Sequence, residues 1–496
     1  MPLKIALIAS EAVPWCKSGG LADVVGALPR ALAQAAGADD VEVALFLPMH
    51  RQVREYLGRG EQPIELQDMG SLRVPMGQGA SEPVRILRAT GDAGESVFFV
   101  DAAHRFDREG LYNDANNRSF ADNGERFALL CRAALEVMPH LMHGPPDIVH
   151  AHDWQAALAP VYLETRYRHS MPRTRSILTV HNLAYQGVLP PSQGGYLDLD
   201  EHFFHLERGE YHGNINLLKG GMAYADAVTT VSPSYAQEIR TPRFGCELDG
   251  FIRAHVPVHG ILNGIDIGSW NPATDSALPA NFSADQMDGK SACRAALLEA
   301  ANLRLDPGEA LLGVVSRFAS QKGLDLVADL VPELARMGAR LVLLGDGDPT
   351  LEERFRWLSN TFSQHLTIRV GFDPALSRRL IAGSDMLLLP SRFEPCGLTQ
   401  LYAMRYGTVP VVHAVGGLRD TVIDPGDTGL AHGQGTGFRF EHPTVEGLHW
   451  ALSRALRMHR EQPEAWRTIV RTGMTQDFSW ARSAEAYLGL YLRALA

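Results

Sequence analysis

The chain has 496 residues, of which 45% are hydrophobic and 21% are charged, and its formal net charge is −11. This length exceeds the roughly 250–300 residues that one hydrophobic core supports, so at least two folded domains are expected. The apolar content excludes a disordered chain. The acidic charge argues against nucleic acid as the main partner, because phosphate backbones bind clustered Lys and Arg. A neutral polymer as the main partner remains compatible with the acidic net charge.

The five cysteines are far apart in the sequence and form no CxxC pair. This spacing predicts neither a disulfide framework nor a zinc site, and it favours a reducing compartment. The N-terminus lacks a signal-peptide pattern, and no apolar run approaches the ~20 residues of a membrane span. We therefore expect a soluble cytoplasmic protein that binds no membrane.

Short apolar segments alternate with helical patterns along the whole chain. Continuous apolar strands separated by helices predict parallel sheets that are covered on both faces, so the predicted fold class is doubly wound α/β. The predicted strands are residues 5–9, 41–47, 97–100, 147–150, 175–180 and 227–231, followed by 311–315, 340–344, 367–370, 386–390 and 408–412.

Glycine and proline interrupt this pattern at residues 245–262, which predicts a domain boundary there. We expect one Rossmann-like domain at residues 1–255 and a second at residues 256–477. A last helical segment, residues 478–496, is expected to pack back on the first domain.

Each half contains a predicted strand, a loop with Lys and Gly, and then a helix. These loops are residues 17–20 near the N-terminus and residues 316–323 in the second half. Chance similarity in a Gly-rich chain is one interpretation. The other is that each loop binds a ligand at the carboxyl end of a strand, where such sheets hold their ligands. Glycine lets a ligand approach the backbone closely, and Lys17 would supply a movable charge for phosphate.

The predicted strand 386–390 leads through Glu394 to a helix start at residues 396–399. Free amides at a helix N-terminus could hold a phosphate, and Glu394 could accept hydrogen bonds from sugar hydroxyls. The alternative is a helix cap that benefits from the macrodipole. Arg317 and Lys322 suit a departing diphosphate, because negative charge builds on its oxygens as the sugar bond breaks. Solvated surface cations are the alternative.

Polar residues also follow two predicted strands of the first domain, at His150-Ala-His152-Asp153 and at His181. Histidine suits acid or base catalysis at neutral pH, but a single His at a strand end is more often structural. No further Cys/His cluster accompanies these histidines, so we predict no metal site. Asp346-Gly-Asp348 is interpreted as a tight turn rather than as a metal motif.

In this order, the motifs resemble the starch and glycogen synthase family, which contains retaining glycosyltransferases of the two-Rossmann-domain (GT-B) architecture. The segment Glu394-Pro-Cys-Gly-Leu-Thr-Gln is the most specific match, and Ser18 stands where the family usually has Thr. The resemblance implies two domains that face each other across a cleft. The first would hold the acceptor, and the second would hold most of the nucleotide.

The same resemblance implies roles for individual residues. It makes Lys17, His181, Arg317, Lys322 and Glu394 catalytic, with the backbone carbonyl of His181 stabilising positive charge at the anomeric carbon. Sugar or acceptor contacts are implied for Asp153, His181 and Glu394. Donor or nucleotide contacts are implied for Lys17, Gly20, Asp23, Asn263, Arg317, Lys322, Phe372, Cys396, Gly397, Leu398 and Thr399. Phe372 would stack on the adenine, although core packing is an equal alternative.

The activity implied by the resemblance is transfer of glucose from ADP-glucose to the non-reducing end of glycogen or a maltooligosaccharide, with retention and without a metal or cofactor. One alternative is a related transferase with another nucleotide sugar or acceptor. The other is a two-lobed sugar-binding protein without catalysis, which the paired cations Arg317 and Lys322 disfavour.

Overall fold

The computed structural model describes residues 2–37, 39–59, 64–91, 94–116, 118–371, 373–426 and 434–496. The chain divides into two compact units. Unit 1 comprises Met1–Gly264 and Trp480–Ala496, and unit 2 comprises Ile265–Ser479. Within the described residues, no helix is both long and apolar enough to cross a membrane.

The strands account for all eleven apolar segments that the sequence predicts. In chain order they are β1 Leu3–Ile8, β2 Val41–Pro48, β3 Gln67–Pro75, β4 Ser81–Thr90, β5 Ser96–Asp101, β6 Ile148–His152, β7 Arg175–Val180, β8 Val188–Leu189, β9 Glu210–Tyr211, β10 Asn214–Asn216, β11 Ala227–Thr230, β12 Val258–Gly260, β13 Ala310–Val315, β14 Ala339–Gly345, β15 Leu366–Val370, β16 Met386–Leu389, β17 Val409–His413 and β18 Phe438–Phe440.

Helices separate most of the parallel strands. In chain order they are α1 Gly20–Ala36, α2 Arg51–Arg59, α3 Ala103–Phe106, α4 Asn123–Leu141, α5 Asp153–Ala156, α6 Leu158–Tyr162, α7 Leu217–Tyr224, α8 Pro233–Glu238, α9 Asp249–His255, α10 Asp288–Ala301, α11 Leu324–Leu330, α12 Leu334–Met337, α13 Pro349–Thr361, α14 Pro374–Gly383, α15 Thr399–Arg405, α16 Gly416–Thr421, α17 Val445–Glu461, α18 Pro463–Thr475 and α19 Ala481–Leu495.

Unit 1 is built on a sheet that has, over the described residues, nine strands in the order β12-β11-β7-β6-β1-β2-β5-β4-β3. Strand β1 shows why its apolar run is continuous. Ile5 and Leu7 pack into one core, while Ala6 and Ile8 pack into another. Because helices cover both faces, every side chain of this part of the strand must be apolar.

The edge of this sheet departs from the prediction of parallel strands. Strands β3, β4 and β5 pair antiparallel, and the sequence analysis missed β3 and β4. In β4 buried Val84 and Ile86 alternate with exposed Arg85, as expected where one face of a strand meets solvent. The signal was therefore a period of two, not a continuous apolar run.

Unit 2 contains a second sheet whose described strands run in the order β15-β14-β13-β16-β17-β18, all parallel. In β13 Leu312 and Val314 face one core and Leu311 faces the other. Together with unit 1, this confirms the predicted α/β fold with two Rossmann-like sheets.

The limits of the units differ from the sequence prediction at residue 255. The Gly and Pro residues at 245–262 predict a boundary, but β12 lies within this range, pairs in parallel with β11 and so extends the sheet of unit 1. The first unit therefore continues to Gly264, and it resumes at Trp480 rather than at residue 478. The short β12 has only three residues, which is too few to give a clear apolar run.

Parallel pairing brings the predicted site residues to one edge of each sheet. In unit 1 the adjacent strands β7 and β6 end just before His181 and Asp153, and their neighbour β1 leads into the segment that contains the Lys17 loop. In unit 2 the adjacent strands β13 and β16 end before Arg317 and Glu394. Carboxyl ends of parallel strands are where α/β sheets bind ligands.

Candidate active site

The Lys17 loop of unit 1 lies between β1 and α1. Lys17 Nζ contacts Asp23 Oδ1 at 2.6 Å and Oδ2 at 2.7 Å, with 45% of the lysine side chain exposed. A Cβ added at Gly19 or Gly20 would meet no atom of the described residues within 4 Å. Packing therefore does not explain these two glycines, and their backbone stays open to a ligand.

Beneath this loop lies a carboxylate that the sequence analysis missed. Glu11 is 3% exposed. It accepts hydrogen bonds from the backbone amide of Ser18 and, at 3.1 Å, from the Ser18 hydroxyl. Burial raises the pKa of Glu11, although contacts with Ser18, Gly19 and Tyr112 oppose the rise. An acidic residue directly after an apolar strand and before a glycine loop was the available signal.

His150 has a structural role. Its Nδ1 is 2.8 Å from the Tyr491 hydroxyl of α19, and its Nε2 is 2.7 Å from Thr179 Oγ1. Both ring nitrogens are thus occupied. Burial lowers the pKa of His150 to about 3, so the ring is neutral at physiological pH and joins α19 to the sheet.

His181 and Asp153 form a connected pair at the ends of β7 and β6. Asp153 Oδ1 accepts the His181 backbone amide at 2.7 Å and the Asn182 amide at 3.4 Å. Asp153 adopts a left-handed backbone (φ 57°), which aspartate tolerates better than most residues. His181 Nε2 lies 3.0 Å from His152 Nδ1. The carboxylate therefore fixes the backbone of His181, and His152 fixes its ring.

Burial shifts the pKa values of Asp153 and His181 so that the neutral form of each group is favoured. It raises the pKa of Asp153 to about 7, and the nearby Glu11 charge contributes to the rise. It lowers the pKa of His181 to about 3. A neutral imidazole at physiological pH offers hydrogen bonds but no positive charge, so acid catalysis by an imidazolium is not supported.

In unit 2, Lys322 and Glu394 form a direct ion pair across 72 residues of sequence. Lys322 Nζ donates to Glu394 Oε2 at 2.6 Å, and Ser391 Oγ donates to the same oxygen at 2.8 Å. The side chains of Lys322 and Glu394 are 22% and 10% exposed. Structure therefore brings together two residues that the sequence could assign only separately.

The backbone holds this pair in place. Gly323 has φ +63°, and a Cβ there would lie 2.2 Å from the carbonyl oxygen of Pro390. Only glycine fits that close approach. The Arg392 amide also donates to the Gln321 carbonyl at 2.8 Å. The loop after β13 is thereby fastened to the loop after β16.

Arg317 is different, because its side chain is exposed and makes no hydrogen bond or ion pair with the described residues. The contacts of the arginine come from its backbone, whose carbonyl accepts the Ser316 hydroxyl at 3.1 Å. An exposed cation that makes no hydrogen bond or ion pair with the described residues, at a ligand-binding edge, is suited to an external anion.

The segment from Cys396 to Thr399 lies against a second glycine pair. Gly417 donates its amide to the Glu394 carbonyl at 3.1 Å, and a Cβ at Gly417 would lie 2.1 Å from the Cys396 carbonyl oxygen. Gly397 has φ +71°, and Leu398 precedes α15, which begins at Thr399. The turn after Glu394 is therefore rigidly packed.

The remaining predicted residues have varied surroundings. Asn263 is buried near the end of unit 1, and its Oδ1 has no hydrogen-bond partner within the described residues. Phe372 lies outside the described residues. Asp348 Oδ1 accepts the Thr350 amide at 2.8 Å and caps α13, which gives the Asp346-Gly-Asp348 segment a structural use.

Residues 4–254 match the family described as starch synthase catalytic domain, and residues 298–472 match glycosyl transferases group 1. This chain belongs to the starch synthase catalytic domain family. A glycogen synthase from Granulibacter bethesdensis is 44% identical, and one from Anaeromyxobacter dehalogenans is 45% identical, each over 100% of both chains.

Solved structures agree with this family. The catalytic domain of starch synthase IV from Arabidopsis thaliana, bound to ADP and acarbose, has a TM-score of 0.88 at 32% identity over 100% of both chains. A sucrose-phosphate synthase from Thermosynechococcus elongatus shares the fold, with a TM-score of 0.58 at 18% identity over 99% of this chain and 98% of that one. The predicted family, the glycosyltransferase class and the GT-B-type fold are confirmed, whereas the roles of individual residues stay predictions.

Proposed function

We propose that this chain transfers glucose from ADP-glucose to the non-reducing end of an α-1,4-glucan, glycogen or a maltooligosaccharide, with retention at the anomeric carbon. The observation that carries this proposal is that the Lys322–Glu394 pair and Arg317, which makes no hydrogen bond or ion pair with the described residues, follow adjacent strands at one sheet edge. The full-length similarity to glycogen synthases and the ADP and acarbose bound by the plant relative support the choice of substrates.

In unit 2, the cluster of Arg317, Lys322 and Glu394 is suited to binding the leaving group. As the bond between the anomeric carbon and the β-phosphate oxygen breaks, negative charge grows on the diphosphate. Arg317 and Lys322 stabilise that charge. In the structure Glu394 neutralises Lys322, so the lysine is held near its working position before a diphosphate arrives. Amides of residues 397–399 add neutral donors, and Glu394 also accepts hydrogen bonds from sugar hydroxyls.

The acceptor hydroxyl attacks the anomeric carbon from the face that the diphosphate leaves, through an oxocarbenium-like transition state. A new bond forms between the acceptor oxygen and the anomeric carbon, and the hydroxyl proton passes to the β-phosphate oxygen of the departing ADP. No protein base is needed. This agrees with the pKa of about 3 for His181, which makes its imidazole a weak base. The backbone carbonyl of His181 is assigned to stabilise positive charge at the anomeric carbon.

In unit 1, the Lys17 loop is assigned to the donor, and the Asp153 and His181 cluster is assigned to sugar and acceptor contacts. Lys17, Gly20 and Asp23 present an open loop with an exposed ion pair that a ligand charge can replace at little cost. Asp153 is assigned a sugar contact in addition to its hold on the His181 amide. Asn263 and Phe372 keep their proposed donor contacts, and a cytoplasmic location also stays a prediction.

The deciding experiment measures incorporation of radiolabelled glucose into glycogen from ADP-glucose and from UDP-glucose. We expect incorporation with ADP-glucose and at least a tenfold preference for it. A preference for UDP-glucose would replace the donor assignment, whereas no incorporation from either donor would contradict the activity.

A further inference from the structure

Glu11 is a buried carboxylate to which neither the sequence motifs nor the proposed chemistry gives a task. Its two oxygens are used separately, since Oε2 accepts the Ser18 amide and Oε1 accepts the Ser18 hydroxyl at 3.1 Å. Ser18 immediately follows Lys17 and precedes Gly19. Glu11 therefore holds Ser18, at the centre of the Lys17 loop, through both its backbone and its side chain.

Other contacts of the loop are weaker. The Lys17 amide donates to Gln52 Oε1 at a long 3.3 Å, and the Lys17 side chain is in an exposed ion pair with Asp23, which contributes little to local order. Gly19 and Gly20 have no side chain that could anchor the loop by packing. A loop with two glycines has a large conformational entropy to lose, and the buried Glu11 carboxyl restrains it through both the amide and the hydroxyl of Ser18.

We propose that Glu11 is a positioning residue that holds the Lys17 loop in the conformation that binds the donor. The inference rests on the proposed function, because the donor is taken to be the nucleotide sugar. It assigns Glu11 an effect on donor binding through Ser18, without contact between Glu11 and the substrate.

The surroundings of Glu11 penalise its charged form. Tyr112, Cys16 and Asp153 interact electrostatically with Glu11, and none of these three groups is a cation. Burial raises the pKa of Glu11, because a carboxylate is poorly solvated inside the protein. If fold stability alone determined the residue, a neutral side chain would serve better at this position.

The test compares Glu11→Ala and Glu11→Gln with the wild-type chain in the transfer assay with ADP-glucose and glycogen. For Glu11→Ala we expect the donor KM to rise about tenfold, which corresponds to about 1.4 kcal/mol, with a smaller change in kcat. Glu11→Gln keeps one acceptor oxygen and should give an intermediate KM. Its melting temperature should not fall, since a buried neutral amide avoids the cost of a buried charge.

A second readout follows the loop itself. The chain has five lysines, and Lys17 is the exposed one in the described structure. Limited digestion with a lysine-specific protease therefore reports on the bond between Lys17 and Ser18. We expect cleavage there to be at least fivefold faster in Glu11→Ala than in the wild-type chain, and intermediate in Glu11→Gln.

Asp226→Ala provides a matched control. Asp226 Oδ2 accepts both the Ser176 amide at 2.8 Å and the Ser176 hydroxyl at 3.1 Å, so a carboxyl again holds the amide and the hydroxyl of one serine, here at the amino end of β7. This variant should leave the donor KM and the Lys17 cleavage rate within twofold of wild type.

The inference requires both the donor KM and the Lys17 cleavage rate to rise in the Glu11 variants. If Glu11→Ala does not fold, the same two measurements on Glu11→Gln decide the test. A donor KM and a cleavage rate that both stay within twofold of wild type would overturn it, as would a change in only one of them. A wild-type chain that transfers no glucose would instead refute the proposed function, while the digestion would still test the grip of Glu11 on the loop.

Discussion

The polar clusters of the two units are held in opposite ways. In unit 1, Asp153 binds the backbone amide of His181, and the ring of His181 is a buried neutral group. In unit 2, Lys322 and Glu394 meet as an ion pair, and the exposed side chain of Arg317 has no ion-pair partner in the part of the chain that the structure describes. The first cluster fixes geometry, and the second supplies charge. This difference matches a reaction in which charge develops mainly on the leaving diphosphate.

The largest effect is expected for Lys322→Ala, which removes a cation and also leaves Glu394 without its partner. An uncompensated carboxylate that is only 10% exposed should lower the free energy of unfolding by about 3 kcal/mol. Transfer should fall at least tenfold. The double variant Lys322→Ala/Glu394→Gln should regain stability in urea denaturation but not activity. Recovery of both would show that Lys322 matters only for folding.

Arg317→Ala makes the comparison more specific, because it removes a cation for which the described ranges of the chain contain no ion-pair partner. We expect transfer to lose at least ~1.5 kcal/mol of transition-state stabilisation, or about tenfold in kcat/KM. The melting temperature should stay within a degree of wild type. Steady-state kinetics and thermal unfolding check the two halves of this prediction. A rate within threefold of wild type would exclude Arg317 from the leaving-group site.

Asp153→Asn tests the neutral character of the unit 1 cluster. The pKa of Asp153 is about 7, above its ordinary value of 3.8. The carboxyl therefore favours folding below pH 3.8, and this contribution is lost as the pH rises through about 7. Because Asn does not titrate, the free energy of unfolding of the variant should fall less over this range.

Urea denaturation of both proteins at several pH values between about 4 and 8 measures this difference. His150 and His181 titrate in the opposite direction, but they are present in both proteins, so the difference between the two curves isolates the carboxyl. Parallel curves would mean that Asp153 is already charged well below pH 7.

The sequence predicted those parts of the fold that leave a continuous apolar run, such as β1 and β13, because both faces of each strand are buried. It missed β4, where alternation replaces the run, and β12, which is too short. It also identified the loops that carry Lys17, His181, Arg317 and Glu394. These loops follow apolar strands and match motifs of one family.

Sequence could not predict which of these side chains touch. Lys322 and Glu394 meet only because β13 and β16 are neighbours in the sheet, an order that chain position does not reveal. Glu11 was missed for a related reason, since its importance depends on burial and on the Ser18 amide rather than on a motif. Contacts set by strand order and burial become visible only in three dimensions.

The smallest effect is expected for Tyr491→Phe, which tests how far the unit 1 cluster depends on the C-terminal helix. Removing the hydroxyl leaves Nδ1 of buried His150 without its partner at 2.8 Å, which should cost about 1–2 kcal/mol of stability. Transfer should stay within twofold of wild type, because Tyr491 supports a structural histidine. Tyr56→Phe, which removes an exposed hydroxyl on α2, is the control and should change stability by less than about 0.5 kcal/mol. Thermal unfolding of the two variants gives the comparison, and equal melting temperatures would mean that the His150 contact with α19 adds nothing to stability.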